Sequence, residues 1–298
     1  MYAWPQPAPA LFALFGLLFG SFLNVVRLRL PAEESIVHPG SHCTHCQHPL
    51  AWWHNLPVLS WLLLRGRCHF CRQTISPAYP LFELATAALW AMSAAAAETQ
   101  PAPFVQALAS AIFCWMMLLL AALDWQNLWL PDRITWPAIA LGLIWRGLHA
   151  MLAPQPISPW LAAVFPASAL PTTHRLTPAI AVLTAALAAV AGAAVVLIIR
   201  LAYWLVRRQE GMGLGDAKLL AALGAWLGFS AMLDSFLIAV FAASAAALLW
   251  ILIGIGRSRE ERWSTLPMPL GTFLALAGIT EIFAPAWLLQ LWIQASFR

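Results

Sequence analysis

The sequence predicts an all-α polytopic membrane protein of about eight transmembrane helices, with one small zinc-binding cytoplasmic loop domain. Three observations carry this. Hydrophobic residues make up 62% of the 298 residues and charged residues only 9%, whereas soluble domains carry about 25% charged residues. Several apolar runs approach or exceed the roughly 20 residues that span a bilayer. The 17 tryptophans suit anchoring at both membrane interfaces. The formal charge of +4 reflects where the arginines fall along the chain, so no nucleic-acid partner is expected. Membrane lipids are.

The candidate spans follow in order as about 8–28, 80–97, 104–123, 133–152, 178–205, 216–233, 235–255 and 268–293. The first lacks a basic flank and a small-residue cleavage site. It reads as a retained helix and not as a removed signal peptide. The stretch 153–178 is rich in proline and reads as a loop or a partly interfacial segment. Pro267-Met268-Pro269 marks the start of the last span. No convincing internal repeat is seen. Orientation comes from the basic residues. With the N-terminus outside, the inward sections hold Arg27, Arg29, Arg65, Arg67, Arg72, Arg133, Arg200, Arg207, Arg208, Lys218, Arg257, Arg259 and Arg262. That is thirteen of the 16 basic residues, a strong positive-inside bias. It puts residues 30–79, Asp124, Asp132, Asp216 and the RSREER loop at the cytoplasmic face. The organisation expected is a first helix in 1–30, a zinc-binding loop domain in 31–79 and a multi-helix membrane region in 80–298.

Residues 43–71 read C-T-H-C, a 21-residue spacer, then C-H-F-C. Paired C-x-x-C knuckles at this separation signal zinc. Each knuckle offers two thiolates, and two knuckles complete a tetrahedron. Cys43, Cys46, Cys68 and Cys71 are the expected ligands. Two disulfides would need an oxidising compartment, and the arginines place this loop in the reducing cytoplasm. Four cysteine ligands leave no open position for water, so the zinc is expected to be structural. A loop this small gains stability from such a staple. Cys114, alone in an apolar span, reads as a small buried hydrophobe.

Two carboxylates sit where a membrane disfavours them. Ionisable groups at that depth usually face the protein interior and mark function. Asp124 ends an apolar run, where the helix macrodipole disfavours a negative charge, and no capping role explains it. Asp216, in G-x-G-D, fits an N-cap as well as a catalytic carboxylate. Gly211, Gly213 and Gly215 leave backbone bare at membrane depth, which is tolerated where it lines a wet cavity or is buried in protein. No strand precedes them, so this is not a dinucleotide fingerprint. Asp132, behind Pro131, reads as an N-cap. Glu83, Glu281 and Asp234 are weaker candidates, and Lys218 reads as a snorkelling cation. Two carboxylates brought together share one proton. One can take a proton from water while the other donates to a carbonyl.

Five motifs occur in order: G-S-F-L-N-V-V-R-L-R-L-P (20–31), the two knuckles, Y-P-L-F-E-L (79–84), D-W-Q-N-L-W-L-P-D (124–132) and G-M-G-L-G-D-A-K-L-L-A (211–221). P-L-G follows at 269–271. Together they resemble the type IV prepilin leader peptidases, which also process pseudopilins of type II secretion. The resemblance implies a bacterial inner-membrane aspartyl protease whose catalytic pair is Asp124 and Asp216. It implies prepilin or pseudopilin substrates, cut after a glycine behind a short basic leader. It further implies N-methylation of the new N-terminus with S-adenosylmethionine, associated with the amino-terminal half. Segment 153–178 is long for the family. A presenilin-type G-x-G-D protease and a zinc-stapled transporter with proton-carrying aspartates are the rival readings.

Overall fold

The structure, a computed structural model, describes residues 7–153, 177–209, 212–254 and 268–284. Among these residues there is no β-strand, and nine α-helices occur: α1 Ala8–Arg29, α2 Leu59–Leu63, α3 Ala78–Ala97, α4 Pro103–Asn127, α5 Asp132–Leu152, α6 Pro178–Arg207, α7 Leu214–Leu227, α8 Phe229–Gly254 and α9 Leu270–Phe283. The chain divides into two compact units, Met1–Leu119 and Leu120–Arg298, and the division falls within α4. Most of the proline-rich stretch 153–178, the RSREER loop, Gly211, Pro267 and the predicted span beyond 284 lie outside the described residues.

The first unit is organised by the packing of α1 on α3. Glycines four residues apart on α1 let the two backbones touch, the usual device where lipid removes the hydrophobic drive to associate. A Cβ at Gly16 would lie 2.7 Å from the Ala87 Cα, and one at Gly20 would lie 2.6 Å from the Glu83 Cα. Above this contact Phe12 packs with Trp90, Ala94, Ala97, Ala107 and Ala111. Trp115 Nε1 donates to the Phe19 carbonyl at 2.9 Å. Arg27 and Arg29 fill the last turn of α1, where cations complement the macrodipole.

The second unit is built around α7. This helix is only 14 residues long, about 21 Å at 1.5 Å per residue. It is buried from Leu219 through Trp226, as expected of a helix apolar on all sides. Its glycines and those of its neighbours again permit close approach. A Cβ at Gly192 of α6 would meet the Leu220 carbonyl oxygen at 2.7 Å, and one at Gly142 of α5 would meet Trp226 Cδ1 at 2.6 Å. Trp226 Nε1 donates to the Ala138 carbonyl at 2.7 Å. α6 begins at Thr177, whose hydroxyl accepts from the Ile180 amide at 3.4 Å, with Pro178 behind it, a favoured start for a helix.

The span assignment needs correction. Among the described residues five helices are long and apolar enough to cross a membrane: α1, α3, α4, α6 and α8, the last over Phe229–Leu252. The expected spans 216–233 and 235–255 are divided elsewhere. Gly228, at φ +85, closes α7 with its amide on the Gly224 carbonyl. Helix α8 then takes over the residues up to 233. α7 is therefore too short to cross a hydrocarbon core of about 30 Å alone. α9 is a shorter apolar helix, and α5 is not among the five.

The α1–α3 contact yields a direct test. Gly20→Leu should overpack the seam and lower stability by about 1–3 kcal/mol. This would be read as an earlier thermal transition of the purified protein in detergent. An unchanged transition would mean that the two backbones do not meet there.

Candidate functional site

The cysteine loop forms from two copies of one turn. In the first, the Cys43 amide donates to the His48 carbonyl, Gln47 to Cys43 and Leu50 to Ser41. In the second, Cys68 donates to Gln73, Arg72 to Cys68 and Ile75 to Gly66. The isolated bridges His42–Pro49 and Arg67–Thr74 match as well. Every partner is displaced by 25 positions, and Gln47 and Arg72 both take positive φ. The loop is thus an internal structural repeat, contrary to the expectation that none exists.

The two turns aim Cys43, Cys46, Cys68 and Cys71 at one point. Their sulfurs all lie within 4.8 Å of one another, and Cys43 Sγ is 3.9 Å from Cys71 Sγ. Tetrahedral zinc with Zn–S bonds of about 2.3 Å needs sulfurs about 3.8 Å apart, so the cluster fits that ion. The electrostatics agree. Burial pushes the Cys43 thiol up, but backbone hydrogen bonds from Cys46 and His45 and the neighbouring thiols outweigh it and bring it to about 6. At Cys71 a backbone hydrogen bond from Gln73 is outweighed by burial and by the other three thiols, which push it up to about 11. Sulfurs this crowded resist ionising together, and a dication at their centre removes the conflict. Cys114 lies apart on α4 and is buried, as expected.

In the second unit Asp124 stands in the last turn of α4, only 5% exposed. Its Oδ2 accepts the Thr272 amide at 2.7 Å and the Thr272 hydroxyl at 3.1 Å. That hydroxyl also reaches the Ala121 carbonyl at 3.1 Å. Thr272 is in the first turn of α9, whose N-cap, Pro269, makes no side-chain cap. First-turn amides make few bonds within their own helix, and the Thr272 amide reaches the Pro269 carbonyl at 3.1 Å. Asp124 supplies a second, shorter acceptor across 148 residues of chain. It is the wrong charge for the end of α4 and the right charge for the start of α9. The P-L-G sequence before Thr272 now has a physical reason: a Cβ at Gly271 would lie 3.0 Å from the Asp124 carboxyl.

Asp216 is the third residue of α7 and not its N-cap, which is Gly213. Its carboxylate turns back over the helix start, so that a Cβ at Gly213 would lie 3.6 Å from Oδ2. Leu130 joins the two aspartate neighbourhoods. A Cβ at Gly215 would meet Leu130 Cβ at 2.9 Å, and one at Gly271 would meet Leu130 Cδ1 at 2.8 Å. The residue before Asp216 and the glycine against Asp124 therefore touch the same side chain. Asp124 is also the acidic group whose charge bears on Asp216. Arg200 Nη1 holds the glycine-rich segment by donating to the Met212 carbonyl at 2.7 Å.

The expectation that Asp132 caps a helix is overturned. Pro131 occupies that position in extended conformation, no side-chain cap forms, and Asp132 is the first helical residue. Asp132 instead pairs with Lys218, tying the first turn of α5 to the second turn of α7. Lys218 is thus a partner for a carboxylate and not merely a cation reaching for the surface. Glu83, buried on α3, accepts the Val58 amide at 2.6 Å. Asp234 and Glu281 are buried on α8 and α9. Thr272, Leu130 and Arg200 were not singled out in the sequence. Only the P-L-G motif pointed towards the first of them.

Comparison with known proteins fits this arrangement. The model for the bacterial peptidase A24 N-terminal domain matches residues 14–97, and that for the type IV leader peptidase family matches residues 111–252. A prepilin leader peptidase/N-methyltransferase of Burkholderia pseudomallei is 37% identical over 94% of this chain and 87% of its own. One from Aeromonas hydrophila is 34% identical over 96% and 91%. A type 4 prepilin-like proteins leader peptide-processing enzyme of Escherichia coli is 32% identical over 95% and 96%. No solved structure matches the chain. Likeness at this level, sustained over nearly the whole length, means that the chain belongs to the type IV leader peptidase family.

Proposed function

We propose that this protein is a prepilin leader peptidase of the inner membrane. It removes the short basic leader of type IV prepilins or type II secretion pseudopilins at the cytoplasmic face, then N-methylates the new N-terminus. The observation that carries the peptidase reading is the convergence of Asp124 and Asp216 around Leu130, with Asp124 buried and fixed by Thr272. In this reading the two aspartates are the catalytic pair. The ionised member takes a proton from water, which attacks the scissile carbonyl. The protonated member gives its proton to the carbonyl oxygen as water adds; the first member then passes the proton it took from water to the departing amine, and the second recovers its proton as the carbonyl re-forms. The dyad titrates as a unit. Thr272 holds the Asp124 carboxylate in one orientation, and the exposed, uncrowded backbone at Gly213 leaves room for an extended peptide.

The domain reading is a first helix in 1–30, a zinc-binding loop domain in 31–79 and the protease region in 80–298. Zinc held by Cys43, Cys46, Cys68 and Cys71 supplies a structural staple. S-adenosylmethionine, when bound, would supply the methyl group for the new N-terminal amine. Proton-carrying transport and a general presenilin-type protease are less well supported, since relatives named as prepilin peptidases align over the cysteine knuckles as well as the aspartates.

Asp124→Asn and Asp216→Asn should each abolish leader removal from a purified prepilin, read by the intact mass of the product, while the protein remains folded in detergent. Full cleavage by either variant would refute the pair. Asp132→Asn, which weakens a half-exposed ion pair, should retain most activity.

Thr272→Val removes the hydroxyl but keeps the amide on Asp124. It should lower kcat by about tenfold, the scale of one hydrogen bond to a charged group. A variant as fast as wild type would mean that the hydroxyl does not orient Asp124.

Metal analysis should find about one zinc per chain, released by Cys43→Ser with Cys46→Ser. Chelation of the wild type should slow cleavage only as the loop loosens. Immediate arrest on chelation would instead make the metal part of hydrolysis.

A further inference from the structure

Between its two knuckles the cysteine loop turns apolar side chains outward. Trp52, which opens a single 3-10 turn over Trp52–Asn55, is 73% exposed, and Trp53 is 54% exposed. Leu59, Leu62 and Leu63 follow the i, i+3, i+4 spacing that puts them on one face of α2, and Leu63 is 74% exposed. Helix α2 packs beside the 3-10 turn. Its other side is committed to the loop. Trp61 Nε1 donates to the Ile75 carbonyl at 3.1 Å, and a Cβ at Gly66 would lie 2.9 Å from the Trp61 ring. The 3-10 turn is anchored too: His54 stands edge-on to Trp53 at 5.8 Å and to Phe70 of the second knuckle at 5.9 Å. The two tryptophans and three leucines are what the loop leaves unburied after it has packed. An exposed apolar patch of this size marks an interaction surface.

The anchoring of α2 sets its depth. Val58, the residue before α2, donates its amide to Glu83 Oε2 at 2.6 Å. Glu83 lies in the second turn of α3, about 7.5 Å from the start of that helix at 1.5 Å per residue. Helix α3 is long and apolar enough to cross a membrane. Its 20 residues span about 30 Å, the thickness of the hydrocarbon core. Helix α2 therefore begins beside the end of a membrane span, within the interfacial layer of about 5–7 Å that covers each side of the core.

Charge selects the partner. Arg65, Arg67 and Arg72 follow the leucines and are all exposed. No ion pair or side-chain hydrogen bond engages them among the described residues. Residues 35–79 contain no aspartate or glutamate. Tryptophan and leucine on one face with unpaired arginine beside them is the composition of a segment that lies on an anionic bilayer surface. A basic leader peptide carries the wrong charge for this face.

We propose that Trp52, Trp53, Leu59, Leu62 and Leu63 are seated in the headgroup layer of the membrane, with Arg65, Arg67 and Arg72 on the phosphates of anionic phospholipids. The cysteine loop is then a peripheral membrane module, held against the leaflet at which α1 ends and α3 begins. This holds whether or not the protein is a peptidase.

The test uses the full-length protein in nanodiscs containing a phospholipid with a diazirine in its upper acyl chain. With phosphatidylglycerol as host and probe, irradiation should label residues 52–63, mapped by mass spectrometry. With phosphatidylcholine as host and probe, that label should fall by about fivefold or more, the effect of at least one arginine near an anionic surface. Label on the exposed α1 residues Leu14 and Leu18 should be the same in both. Arg65→Gln with Arg67→Gln and Arg72→Gln should bring the phosphatidylglycerol value down to the phosphatidylcholine one. Leu62→Ser with Leu63→Ser should lower label at 52–63 while the thermal transition stays at the wild-type temperature. If a variant fails to fold, the two wild-type maps decide the matter. Absence of label at 52–63 beside normal label on α1 overturns the proposal. So does cross-linking of that segment to a second copy of the chain, or to added prepilin, in place of lipid. Equal label in the two lipids overturns the assignment of the arginines to anionic headgroups.

Discussion

The hydrogen bonds between Asp124 and Thr272 are the constraint on which the second unit's site depends. A carboxylate at the C-terminal end of an apolar helix is in the least favourable place its own helix offers. It is tolerated because the first turn of α9 offers it an amide and a hydroxyl donor. The amide and hydroxyl of Thr272 then fix one oxygen. Gly271 must be small for the carboxyl to come that close, and Leu130 fills the space between Gly271 and Gly215. One satisfied helix terminus therefore sets the position of Asp124 and the packing that brings Asp216 near it.

The same economy of small residues recurs through both units. Gly16 and Gly20 bring α1 onto α3, and Gly142 and Gly192 bring α5 and α6 onto α7. In lipid this close approach replaces the hydrophobic drive as the source of packing energy. Short, buried α7 is the outcome. With neighbours on all sides, it can carry Asp216 on its first turn, at the edge of the apolar region.

Features held by local spacing were legible in the sequence. The four cysteines were read as one metal centre, because C-x-x-C fixes the geometry within each knuckle. The two aspartates stood out because charge is rare in this chain. What depends on distant chain was not legible. Thr272 lies 148 residues from Asp124, and nothing at either position names the other. The 25-residue repeat of the cysteine loop escaped notice because only its cysteines and backbone bonds recur, while Ser41 corresponds to Gly66 and His48 to Gln73. The break between α7 and α8 was misplaced because Gly228 sits inside an apolar run, where a turn leaves no trace in hydropathy. Asp132 was misread as a cap because Asp after Pro fits one, whereas its partner Lys218 is 86 residues away.

The central claim is that Asp124 and Asp216 work as one dyad sharing a proton. The pH dependence of kcat/KM for leader removal tests it most directly, since it reports the essential acid and base of the free enzyme. The account predicts a bell. Activity falls on the acid side as the ionised carboxylate is protonated and on the alkaline side as the shared proton is lost. A profile that rises with pH to a plateau, with no alkaline limb, would contradict it, because hydrolysis would then need only one ionised group.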